Sequence, residues 1–173
     1  MTSTYDQALG GRNWLEKIAN RIPGFSGYQN RETRREVDGL WRRHLASRCD
    51  EVRAKLQGKI RDLSEKGDLL SISGLDGAEK AIDGLANRLR TADAGYSGFF
   101  DAIKVGEAEL EAVYHFDVEF AERVEELDRL VASVGASGGP DGRTLRKAVE
   151  DAQERWSARR EFLDQAIAPP PRP

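Results

Sequence analysis

Few side chains in this chain have the type and spacing to do chemistry. Glu111 and His115 stand four apart, on one face of a helix, with Glu107 and Glu119 extending the row. Two ligands at that spacing suit a metal ion, and di-iron bundles combine carboxylates with histidines. Those bundles need a Glu-x-x-His on each of two helices. Here the spacing is Glu-x-x-x-His and the only other histidine is His44, so the row reads as a solvated acidic face and no metal is expected. Cys49, the single cysteine, falls on an apolar stripe and reads as an inert buried thiol. Asp117 sits where its stripe calls for an apolar residue. A carboxylate there needs a partner, and Arg42, Arg88 or Arg90 is the expected one, in a packing role. No nucleophile elbow, phosphate-binding loop, dinucleotide fingerprint or zinc-ligand spacing occurs in the sequence. No catalytic residue and no cofactor are expected.

Charge is segregated. The net charge is −3, too acidic overall for a general attraction to nucleic acid. Between Arg31 and Arg48, however, six arginines (31, 34, 35, 42, 43 and 48) face Glu32, Glu36 and Asp38, a local +3. Between Glu107 and Asp128, nine acids face Arg123 alone, a local −8. Two helices of opposite sign in one chain are expected to lie side by side, or one of them to face a partner. The arginine run is also the one candidate for phosphate contact, but its interleaved acids favour a solvated or internally paired face.

The elements that position these groups follow from proline placement and periodicity. The six prolines are at 23, 140, 169, 170, 171 and 173, so Gly24 to Gly139 is free of them. Helix interiors exclude proline at ~3 kcal/mol. The long gap, rich in Glu, Arg, Leu and Ala, therefore predicts helices broken only at glycine corners. One helix is expected from near Asn30 to Lys66, with Val37, Trp41, Leu45, Cys49, Val52, Leu56, Ile60 and Leu63 on a seam of threes and fours. Gly39 and Gly58 interrupt it, and close helix packing is the expected reason. The next runs from about Leu75 to Ala92. A third, from about Glu107 to Val134, carries Val113, Phe120, Val124, Leu127 and Val131. The last, from about Thr144 to Ile167, carries Leu145, Val149, Ala152, Trp156 and Leu163. A Gly/Ser loop at 135–143 separates the last two, and residues 168–173 form a proline-rich, disordered tail.

Residues 1–28 are an N-terminal arm and corner. A short amphipathic helix from Arg12 to Arg21 puts Trp14, Leu15 and Ile18 on one face. It reads as an arm that docks on the bundle. Trp14 and Ile18, flanked by basic residues, are also candidate membrane or partner contacts. Ile22-Pro23-Gly24-Phe25-Ser26-Gly27-Tyr28 then makes an aromatic corner, and Gly95-Tyr96-Ser97-Gly98-Phe99-Phe100 repeats its pattern. Phe25, Tyr28, Tyr96, Phe99 and Phe100 are the candidate partner-docking residues, against the plainer reading that the two corners pack together.

These corner residues, with Glu32-x-Arg-Arg-Glu36-x-Asp38, Arg88-Leu-Arg-Thr-Ala, Lys104-Val and Tyr114-x-Phe-Asp117, resemble a group of small, uncharacterised bacterial proteins over about Trp14 to Leu130. The resemblance implies a helical, intracellular protein with no catalytic residue to carry over, and a place near band-7/SPFH-type membrane scaffold proteins. Asp93-Ala94 departs from it, standing where a bulkier or aromatic residue is expected before Gly95.

The expected architecture is all-α: an elongated antiparallel helical bundle (29–167) with coiled-coil-like seams and a short N-terminal amphipathic arm. The expected function is a non-enzymatic scaffold or adaptor working through protein–protein contacts, self-association included. The alternatives are a peripheral membrane-associated stress component and a nucleic-acid binder through the Arg31–Arg48 face. One cysteine allows no intrachain disulfide, and no basic-then-apolar leader or ~20-residue apolar span occurs, so the expected setting is cytoplasmic, at most peripheral to the inner face of the membrane.

Overall fold

The computed structural model describes residues 31–92 and 107–167, and every regular element in them is helical. Helix α1 spans Arg31–Glu65, α2 is the single turn Leu69–Ile72, α3 spans Leu75–Thr91, α4 Glu107–Ala132 and α5 Gly142–Ile167. The protein is an all-α helical bundle. The expected arm, both aromatic corners and the proline-rich end lie outside the described residues.

The stripes of threes and fours become the core. Trp41, Leu45, Val52 and Leu56 of α1 pack with Leu75, Ile82, Leu85 and Leu89 of α3, and with Phe120, Val124, Leu127, Leu145, Val149 and Trp156 of the other two helices. Burying each such side chain contributes roughly 1.5–3 kcal/mol. Packing of these faces, more than propensity, holds the helices in place. Among the seam residues whose burial is described, Ile60 alone is only partly buried.

Interhelix contacts fix the directions. Arg53 bonds to Glu79 and, at 2.7 Å, to Asp83, while Arg90 bonds to Asp50, so α1 and α3 run antiparallel. Phe116 meets Phe162 and Phe120 meets Trp156, so α4 and α5 are antiparallel too. The two hairpins then stack with α1 on α4 and α3 on α5. Both of those pairs are parallel: Asp38 reaches toward Asp117 through Arg159, and Lys55 bonds to Asp128 at 2.6 Å. The expected antiparallel bundle is thus built of two antiparallel hairpins, stacked so that α1 and α4, and α3 and α5, are parallel neighbours. The oppositely charged α1 and α4 do lie side by side.

Helix ends follow local chemistry. The Asp141 carboxylate accepts from the Thr144 N–H at 2.8 Å and from its hydroxyl at 2.7 Å. Asp141 is thus the N-cap, and α5 starts at Gly142, two residues before the expected Thr144. Between the helix expected to end at Lys66 and the one expected to start at Leu75 lies the extra helical turn α2. Asp68 caps it, accepting from Ser71 N–H at 3.1 Å and Ser71 Oγ–H at 2.6 Å. Gly74 has a positive φ of 86° and leads into α3. Its backbone lies against Gly142 so closely that a Cβ at Gly142 would sit inside the Gly74 carbonyl. The two hairpin turns touch backbone to backbone there.

Gly58 is different, and close helix packing is not its reason. A Cβ there would meet only the Arg61 guanidinium of the same helix, at 3.9 Å. At Gly39, among the described residues, it would meet only the Arg43 and Arg42 guanidiniums, at 3.5 and 3.8 Å. Gly58→Ala is expected to stabilise the protein by about 0.5–1 kcal/mol through helix propensity. Gly142→Ala is expected to destabilise it by about 2 kcal/mol or more, since the hindering atoms are backbone. Chemical denaturation of the two variants beside the parent checks both signs.

Candidate functional site

Four charged side chains are buried together between α1, α4 and α5: Asp38, Arg42, Asp117 and Arg159. Each lies on the inward stripe of its own helix. Asp38 precedes Trp41 by three residues. Asp117 falls between Val113 and Phe120, and Arg159 between Trp156 and Leu163. Helical periodicity thus delivers polar groups to positions where the bundle demands burial.

Arg159, only 1% exposed, is the hub. Its Nε–H donates to Asp117 Oδ1 at 2.6 Å, and its Nη2 approaches Asp117 Oδ2 at 3.4 Å. The same Nη2 donates to Asp38 Oδ1, crossing the bundle to α1. The second Asp38 oxygen accepts from Arg42 Nε–H at 2.8 Å. Two carboxylates and two guanidiniums cancel in charge, and the planar fork of Arg159 serves two acids at once. The Trp156 ring lies 4.9 Å from the Arg159 guanidinium, and Arg155 sits 4.4 Å over the Phe116 ring. Aromatic faces therefore wall the α4–α5 side.

Burial pushes the Asp117 carboxyl up to about 6, the nearby Arg159 charge opposes that rise, and the Asp38 charge adds to it. The Trp41 indole N–H also favours the Asp117 anion, though it falls short of a complete hydrogen bond. Burial disfavours the Arg159 cation, but the two carboxylates more than offset this and hold it protonated above the ordinary arginine value. Buried Cys49 is pushed up to about 12, chiefly by burial and then by Asp50, so it carries no nucleophilic thiolate at neutral pH.

This arrangement orients helices. General acid–base catalysis needs a carboxyl within reach of a substrate proton, and Asp117 is 3% exposed with Arg159 bonded to it. Beside the quartet, α1 and α4 enclose a groove of about 280 Å3, with Trp41, Leu45 and Val124 at its base and His44, Arg48 and Glu125 among its polar lining. The apolar base is already almost wholly buried. His44 stacks on Trp41 at 5.6 Å, and Arg48 pairs with Glu51 and, at 3.5 Å, with Asp128. The groove offers a ligand little apolar surface.

The residues expected from the sequence are distributed as follows. Asp117 is buried and paired, but its partner is Arg159 of α5, not Arg88 or Arg90. Arg88 is exposed, and Arg90 bonds to Asp50. Arg42 belongs to the same cluster through Asp38. Of the arginine run, Arg42 is buried and Arg48 internally paired, while Arg43 is exposed. The side chains of Arg31, Arg34 and Arg35 lie outside the described residues. His115 is exposed and Glu119 pairs with Arg155. Among the described residues no group of three or more His, Cys, Asp or Glu is gathered to hold a metal. Phe25, Tyr28, Tyr96, Phe99, Phe100, Trp14 and Ile18 lie outside the described residues. Asp38 and Arg159 were missed, although both sit at stripe positions. The gap from Trp156 to Leu163 was the signal, since one residue between them had to face inward. Comparison with protein-family models, with curated proteins and with solved structures gives no match for this chain.

Arg159→Met is expected to cost about 3–5 kcal/mol, because it strands the buried Asp117 carboxylate and leaves Asp38 with Arg42 alone. Arg159→Lys is expected to recover little, since an ammonium cannot bridge both acids as the fork does. Denaturant unfolding of both variants checks this. A carboxyl raised in the fold from 3.8 to about 6 contributes its stabilisation fully below the unfolded value and loses it as pH rises through about 6. Relative to Asp117→Asn, the parent should therefore lose stability between about pH 4 and pH 7, by at most about 3 kcal/mol. Paired melting curves across that range test the sign.

Proposed function

We propose that the protein is a non-enzymatic helical scaffold or adaptor that acts through protein–protein contacts on its helix faces, self-association among them, without a cofactor. The observation that carries this reading is the quartet: the buried ionisable groups of three helices are bonded to one another, which fixes helix positions and leaves the outer faces to make contacts. The buried, high-pKa Cys49 and the filled base of the α1–α4 groove support the same reading. We place the protein in the cytoplasm on its single cysteine.

A second reading, a peripheral component beside band-7/SPFH-type membrane proteins, draws on the Trp14–Ile18 arm and on the family resemblance of the corner motif. No helix among the described residues is long and apolar enough to cross a membrane. Less favours the nucleic-acid reading, since Arg42 is buried and Arg48 is paired with acids of the same chain.

Affinity capture from the source cells, with the parent and with a Phe25→Ala/Tyr96→Ala variant, tests the scaffold reading. The expected result is a partner protein retained by the parent and lost by a variant that still melts like it. A variant that unfolds instead assigns the aromatic corners to packing, and a parent that neither captures protein nor self-associates sinks the scaffold. Flotation with anionic liposomes, with and without Trp14→Glu, decides the membrane reading: a protein that stays at the bottom in both cases ends it.

A further inference from the structure

We draw no further inference here: the strongest candidate, the exposed apolar turn Leu69–Leu70 between α1 and α3 at one end of the bundle, carries none, because nothing in the structure shows what covers it.

Discussion

Arg159 must be charged, buried and bonded to acids on two other helices at once, and the arrangement of the bundle depends on this constraint. An apolar seam tolerates sliding by a turn, because one leucine replaces another at similar cost. A buried guanidinium does not, because a shift by one turn would leave Asp117 or Asp38 without its countercharge in a low-dielectric interior. The quartet therefore contributes register more than net stability, and its polar price is offset by the aromatic and aliphatic packing around it. Phe116, Phe120, Trp156 and Phe162 form that wall on the α4–α5 side.

Arg159 joins α5 to α1 across the bundle, whereas the closest packing of α1 is with α3 and α4. The stacking of two antiparallel hairpins with parallel neighbours is consistent with this tie. The surface pairs Lys55–Asp128 and Arg48–Asp128 reinforce the α1–α4 contact, but they are half exposed and individually worth little. Segregating basic residues on α1 and acidic ones on α4 selects which helices may be neighbours. The quartet sets how far along each other they sit.

Helix identity and inward faces were legible in the residues because repetition in threes and fours is a property of one segment at a time. Leu75, Ala78, Ile82, Leu85 and Leu89 point inward as the spacing demands. Boundaries were less legible where a single side chain decides them. Asp141 as a cap moved the start of α5, and Asp68 created a turn of helix inside what read as a plain corner. Partnership was least legible. The misplaced residue on the α4 stripe was visible as Asp117, but periodicity carries no information about which of several arginines lies opposite in space. Arg159 stands beside Arg160 and Glu161, and composition alone does not separate an inward arginine from its outward neighbours. The parallel pairing of α1 with α4 was illegible for the same reason: Asp38 and Asp117 are bridged by Arg159, 121 positions from Asp38.

That separation also bears on how the chain is made. Asp38 has Arg42 on its own helix and is compensated as soon as α1 forms. Asp117 has no such local cation, so α4 cannot settle against α1 without stranding a charge until α5 has been synthesised. During vectorial synthesis the α1–α3 hairpin closes on its own contacts, while α4 waits outside, its apolar face open to whatever is near, until α5 has left the ribosome. Messages cut short before Arg159 would yield a half-bundle with an unsated interior, a natural substrate for chaperones and proteases rather than a smaller version of the same protein.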